Sequence, residues 1–203
     1  MEKTKVVLLS LLLCFSTWGT AQEEQNDISI LKNPVRNGQL YGGLSFALGF
    51  MTENTQNLFV QGDLGYFVHK NISIRADAYY FINSIGDRPR FDMNHQIFFG
   101  ADFHLPTTIR LTPHVGLQPG VAISRSSEFQ TLNTEQNPSE LERSIEANPL
   151  ISTVFGLTYH APKYFYAFVE GRYLIGTHQA NTFPTNLDEL RIQFGLGWFF
   201  NFK

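Results

Sequence analysis

The sequence predicts an all-β fold: an eight-stranded antiparallel up-and-down transmembrane β-barrel. Three observations carry this. First, the C-terminal segment alternates strictly, setting Leu190, Ile192, Phe194, Leu196, Trp198, Phe200 and Phe202 against Arg191, Gln193, Gly195, Gly197, Phe199 and Asn201. Successive side chains of a strand point to opposite faces, so one face here is wholly apolar and the other carries charge, amides and glycines. Second, seven further alternating segments precede it, with turn residues between them. Third, the chain begins with an export signal, and no other stretch is apolar enough for a membrane helix. A chain of this kind that crosses a bilayer must do so as a barrel.

The N-terminus supplies the export signal. Lys3 and Lys5 precede an apolar core from Val6 to Phe15, broken only by Ser10, and Gly19-Thr20-Ala21 follows. Residues 1–21 read as a signal peptide cut after Ala21. The apolar run falls far below the ~20 residues that span a bilayer, which argues against an anchor. Cys14 is the only cysteine, and Leu13 before it fits a lipidation site poorly. Cleavage removes Cys14, leaving no thiol for a disulfide, a nucleophile or a metal. About 182 residues remain, with 13 basic and 17 acidic side chains. A net charge near −4 argues against a nucleic-acid partner.

Residues 22–37 are polar and read as a short periplasmic lead-in, with Pro34 and Gly38 marking entry to the barrel, residues 38–203. The first strand sets Leu40, Leu44, Phe46, Leu48 and Phe50 against Tyr41, Gly43, Ser45 and Ala47. The second alternates Leu58, Val60, Leu64, Tyr66 and Val68 with Phe59, Gln61, Asp63, Gly65 and Phe67. In the third, Ile72, Ile74, Ala76, Ala78, Tyr80 and Ile82 oppose Ser73, Arg75, Asp77, Tyr79 and Phe81. The fourth sets Ile97, Phe99, Ala101, Phe103 and Leu105 against Asn94, Gln96, Phe98, Gly100, Asp102 and His104. The fifth runs from Ile109 to Ser124 with Pro113 and Pro119 on its apolar face. Proline removes a ladder donor, so this strand is expected to bend or bulge. The sixth places Ile151, Thr153, Phe155, Leu157 and Tyr159 on one face; the seventh sets Phe165, Ala167, Val169, Tyr173 and Ile175 against Tyr166, Phe168, Glu170 and Arg172.

Connections at 69–71, 106–108 and 160–163 are tight, whereas those at 51–57, 83–92, 125–148 and 177–187 are longer. Short periplasmic turns and longer extracellular loops are the pattern of bacterial barrels. The polar faces are small and glycine-rich, and Lys70 is the single lysine between Lys32 and Lys163. A soluble ligand-binding barrel, the alternative, would show many lysines and glutamates to water.

The segment Leu111-Thr112-Pro113-His114-Val115-Gly116-Leu117-Gln118-Pro119-Gly120-Val121 resembles the fifth strand of the small outer-membrane barrel family that includes OmpX and the barrel portion of OmpA, in its Bacteroidetes-type porin-family form. That pattern is a threonine-proline-aromatic start followed by spaced glycines, and His114 stands where an aromatic is usual. The C-terminal segment likewise resembles the closing strand of such barrels. There Phe194, Leu196, Trp198, Phe200 and Phe202 would serve as the signal to the barrel assembly machinery, with Lys203 after them as a departure. The resemblance implies outer-membrane lipid and lipopolysaccharide as surroundings. It does not extend to peptidoglycan anchoring, because no such domain follows.

An eight-stranded barrel is just wide enough for side chains to fill its interior. Asp63, Arg75, Asp77, Asp102, Arg110, Glu170, Arg172 and Arg191 are therefore expected to form a lumen charge network, with Arg75 diagonal to Asp63. Buried charges must be paired. The sharper alternative is a gate on a narrow ion or small-solute pore. The connection Arg125 to Asn148 carries Glu128, Glu135, Glu140, Glu142 and Glu146 against Arg125 and Arg143. It reads as a solvated acidic loop or a site for a surface partner. It lacks calcium-loop spacing, and neither metal nor cofactor is expected.

The alternative enzyme reading, a lipid A hydrolase, rests on Thr177-His178-Gln179-Ala180-Asn181, which is similar to the His-x-Ser-Asn segment of lipid A deacylases. Ala180 occupies the serine position and has no nucleophile. His69 and His160 fall at turns, His95 is off the lumen face, and His104 and His114 face inward alone. The sequence thus reads as a monomeric, non-enzymatic outer-membrane barrel in envelope integrity or surface interaction.

Overall fold

A computed structural model describes residues 37–51, 55–85, 91–107, 109–126, 145–161, 165–178 and 185–200. The signal segment, the lead-in before Asn37 and Phe202 lie outside the described residues. Nine strands follow in chain order: β1 (Leu40–Met51), β2 (Gln56–His69), β3 (Ile72–Ile85), β4 (Phe91–His104), β5 (Leu111–Ser126), β6 (Glu146–His160), β7 (Phe165–His178), β8 (Thr185–Asn186) and β9 (Glu189–Phe200). Each long strand pairs antiparallel with the next, and β9 pairs with β7 on one side and β1 on the other. The sheet therefore closes on eight long strands, with β8 only extending the end of β7. Closure leaves no unpaired edge.

Period-two alternation decides what faces where. On β3, Ser73, Arg75, Asp77, Tyr79 and Phe81 are buried while Ile72, Ile74, Tyr80 and Ile82 are exposed. The same partition runs round the barrel, so the exterior is a continuous apolar surface; Leu44, Phe99, Phe194 and Leu196 are each more than half exposed. Such a surface is stable against hydrocarbon and costly against water.

Two sequence expectations are corrected here. The fifth strand does not bulge. β5 pairs with β6 in one register from Leu111↔Tyr159 to Ser124↔Glu146, and with β4 in one register on either side of Pro119. Both prolines sit on the outward face, and only the β4 ladder opens at Phe99 and Gly100, opposite Pro119 and Gln118. The register irregularities fall instead in β2–β3 between Leu58 and Phe59 and between Phe67 and His69, and in β4–β5 between Phe91 and Met93.

The connections also differ. One end of the barrel, the turn end, joins strands through 70–71, 105–110 and 161–164; the other, the loop end, joins them through 52–55, 86–90, 127–145 and 179–188. Strands run further at the loop end than alternation marks, so two of its four connections are as short as those opposite. Gln56, Asn57, Asn83 and Ser84 pair there (Gln56↔Ile85, Asn57↔Ser84) although both faces are polar. Backbone pairing needs no hydrophobic contrast, so the strand outlasts its sequence signal. For the same reason Arg125 and Glu146 to Asn148, assigned above to the long loop, belong to strands. His160 is the last residue of β6 rather than a turn, and His178 ends β7 and pairs with Thr185. Residues 127–144, with Glu128, Glu135, Glu140, Glu142 and Arg143, lie outside the described residues, as do Ala180 and Asn181.

Candidate functional site in the barrel lumen

Inward positions of β3, β7 and β9 supply most of the charge. β3 contributes Arg75 and Asp77, β7 Glu170 and Arg172, and β9 Glu189 and Arg191; Asp63 comes from β2 and Asp102 from β4. Three strands lie between β3 and β7 by either route round the sheet, so they face each other across the lumen.

The main ion pairs span that diameter. Arg75 Nη1 and Nη2 donate to Glu170 Oε1 at 2.6 Å and Oε2 at 3.1 Å, a two-pronged contact that fixes both planes. Arg75 Nε lies 3.0 Å from Asp77 Oδ1 and 3.3 Å from Asp102 Oδ2. Arg172 Nη2 reaches back across to Asp77, and its Nη1 donates to Ser152 Oγ at 3.0 Å. Glu170 also accepts from Gln193 Nε2 at 2.7 Å. With Arg75, Asp77, Glu170 and Arg172 all buried, the two crossings brace opposite walls.

Above and below this charged storey the lumen is closed by rings. Towards the loop end, Arg191 lies 4.0 Å over the Phe59 ring and 4.4 Å over Tyr79, while Arg172 lies 4.6 Å over Phe98. Guanidinium on aromatic faces is favourable when water is excluded. Arg191 also pairs with Glu189 and donates to Gln96 Oε1 at 3.0 Å. Phe81, Phe91, Leu150, Leu174 and Leu187 complete an apolar stopper with them. Towards the turn end, Tyr41, Phe67, Tyr166, Phe168 and Phe199 form a second stopper. The Tyr41 ring takes the space a side chain at Gly65 would need, and Tyr166 does so at Gly197. Aromatic over glycine across a strand pair is how this narrow wall admits large rings.

Seven of the eight residues expected in the network line the interior: Asp63, Arg75, Asp77, Asp102, Glu170, Arg172 and Arg191. Arg110 does not join them. It lies half-buried in the bend before β5, where its carbonyl accepts from His160 N at 2.8 Å. Arg75 pairs with Asp77, Asp102 and Glu170 and not with Asp63, because the cross-lumen carboxylate is nearer than the diagonal one. On β9, Phe194, Leu196 and Trp198 face outward and Phe200 is half-buried.

The histidines are not isolated, contrary to expectation. His104 and His114 rings lie 5.3 Å apart, and His104 Nε2 lies 2.9 Å from Ser73 Oγ. His114 Nε2 lies 3.0 Å from Glu170 Oε1. His160 Nε2 lies 3.0 Å from Thr112 Oγ1, and its ring stacks on Phe199. The Ser73–His104 pair has the separation of a nucleophile and its base, but Ser73 is fully buried and holds Tyr41 Oη at 3.1 Å. The adjoining cavity, about 30 Å3, has no room for an ester substrate. Among the described residues no three acidic or histidine side chains converge as a metal set. Sequence reading missed this cluster because its members sit on β3, β4, β5 and β6, and only the register brings them level.

No protein-family model matches the chain, and comparison with curated proteins gives no sequence match. Solved structures do share the fold. The chain is similar to OprG of Pseudomonas aeruginosa, an outer membrane protein (TM-score 0.61, 10% identity, covering 83% of this chain and 98% of that one). It is similar to the N-terminal β-barrel domain of Pseudomonas aeruginosa OprF (TM-score 0.58, 13% identity, 81% and 98%). It also resembles Neisserial surface protein A (TM-score 0.55, 14% identity, 81% and 96%).

Proposed function

We propose that this chain is an integral outer-membrane barrel with a closed lumen and no catalytic role, acting in envelope integrity or in surface contacts through its loop end. The inverted partition carries the reading: more than thirty large apolar side chains lie exposed on the outer wall while arginines, aspartates and glutamate lie buried inside. A soluble barrel would have to hide Phe99, Phe155, Phe194 and Leu196 from water, and none of the described residues covers them. Lipid satisfies that wall without further structure. The outer-membrane protein and the surface protein that share the fold support the location. Lipopolysaccharide, lipid and the barrel assembly machinery, the last engaging β9, are the partners this location supplies. The finer resemblance, to the Bacteroidetes-type porin-family form of OmpX-like barrels, covers nearly all of residues 38–202, with residues 111–121 and the C-terminal strand as its motifs.

The residues 127–144 between β5 and β6 are the longest connection and the place for a surface partner, since loops on a rigid scaffold are free to vary. Heat modifiability tests the reading. The protein, recovered with the outer membrane, is expected to migrate faster unboiled than boiled on a denaturing gel. Recovery in the soluble periplasm with a single mobility would overturn it.

A further inference from the structure

Carboxylates outnumber guanidiniums on the inner wall. Asp63, Asp77, Asp102, Glu170 and Glu189 share it with Arg75, Arg172 and Arg191. Asp77, Asp102 and Glu170 all lie beside Arg75, Asp77 also beside Arg172, and Glu189 beside Arg191. Asp63 has no guanidinium within ion-pair distance among the described residues. Its one contact is Gln61 Nε2 at 3.4 Å, an amide that also reaches Asp77 Oδ1 at 3.3 Å. Asp63 is half-buried on the lumen side, and a carboxylate shielded from bulk water without an ion-pair partner is costly, which favours a counter-charge beside it.

Asp63 opens on a space rather than a wall. With Tyr166, His114 and His160 it lines a partly enclosed cavity of about 30 Å3 at the turn end. Tyr166 is 5% exposed and its Oη has no hydrogen-bond partner; His114 Nδ1 and His160 Nδ1 are buried and equally unpartnered. The Glu170 carboxylate accepts only, so His114 Nε2 donates to it, and Nδ1 is the ring nitrogen left without a partner. Gly43 leaves the wall bare at this level. A Cβ built there would lie 2.8 Å from Asp63 Oδ1 and 3.2 Å from Tyr166 Oη, so both oxygens are directed at the same spot.

We propose that this cavity binds one small monovalent cation, of sodium or ammonium size, held by the Asp63 carboxylate and Tyr166 Oη with imidazole nitrogen nearby. A space of this volume takes a water-sized guest, for which ~10–15 Å3 suffices. Arg75 and Glu170 also line the cavity but pair with each other, so Asp63 is the carboxylate left for a guest, which suits a single charge. Calcium takes six to eight oxygens, roughly twice what is offered. A water molecule would satisfy Tyr166 and His114 but leave the Asp63 charge unbalanced. The apolar stopper of Phe59, Phe81, Phe98 and Leu174 closes the loop side, and the rings of Tyr41, Phe67, Phe168 and Phe199 bound the cavity towards the turn end, so the guest is held between the two stoppers. The proposal rests on lumen geometry and stands apart from the membrane location.

Thermal unfolding of the detergent-solubilised barrel tests it, with choline chloride exchanged for sodium or ammonium chloride at constant ionic strength. A guest that binds only the folded state raises the midpoint with its concentration. The midpoint is expected to climb with sodium or ammonium in the wild type. Asp63→Asn is expected to abolish that climb, and Tyr166→Phe to weaken apparent affinity several-fold. Equal midpoints in sodium and choline would overturn the site, as a protonated or water-bound Asp63 requires. An Asp63→Asn variant that responds like wild type would overturn it too. Should that variant not fold, Tyr166→Phe decides: unchanged sodium dependence sinks the proposal.

Discussion

Arg75 has more riding on it than any other side chain. Among the described residues it alone faces three carboxylates, those of Asp77, Asp102 and Glu170. Truncation to alanine leaves Asp102 without a cation and Glu170 with only His114 and Gln193. Removing one partner of a buried pair costs about 3–5 kcal/mol, and Arg75→Ala is expected to lose that much in urea unfolding from lipid vesicles. Because the pair is shielded from solvent, the loss should barely change with salt; a surface pair's contribution would fade. A loss under about 1 kcal/mol would show that the charges relax elsewhere. Which residues point inward was legible in the sequence, since period two decides it. Who meets whom was not. Asp63 looked diagonal to Arg75 from neighbouring strands, yet Arg75 turns to Glu170, 95 positions away, because only the closed register sets their heights. The histidines failed for the same reason, as ring contacts between β4 and β5 leave no trace in either segment alone.

At the scale of the strand, position along the apolar wall sets the cost of polarity. β9 places Phe194 near its middle and Leu190 near the loop end, both outward and exposed. Arginine at the bilayer midplane of a barrel costs about 2–4 kcal/mol, and about 0–1 near an interface. Phe194→Arg is therefore expected to destabilise the barrel several times more than Leu190→Arg, read by urea unfolding in vesicles. Equal costs would mean that the wall does not lie in lipid as proposed. Strand centres were legible from alternation, whereas strand ends were not. Gln56 to Asn57 and Asn83 to Ser84 pair without contrast between faces. The prolines of β5 misled because a donor missing on one side of one strand can be absorbed by an opening in the ladder, here at Phe99 and Gly100, without shifting register.

For the molecule as a whole, the double stopper decides permeability. Phe59, Phe81 and Leu174 close one end and Tyr41, Tyr166 and Phe199 the other, with ion pairs between. Planar bilayers containing the purified protein are expected to show no stepwise conductance; reproducible steps would revive the narrow pore. The cross-lumen braces also bear on how such a wall comes to exist. β3 and β7 are separated by nearly a hundred residues, and their charges meet only when β9 has returned to β1. A half-formed sheet therefore holds Arg75 and Asp77 on one curl and Glu170 and Arg172 on the other, each still needing water. Ring closure and dehydration become a single event, so insertion selects complete chains: a fragment ending before β7 lacks the counter-charges that let its inner face go dry.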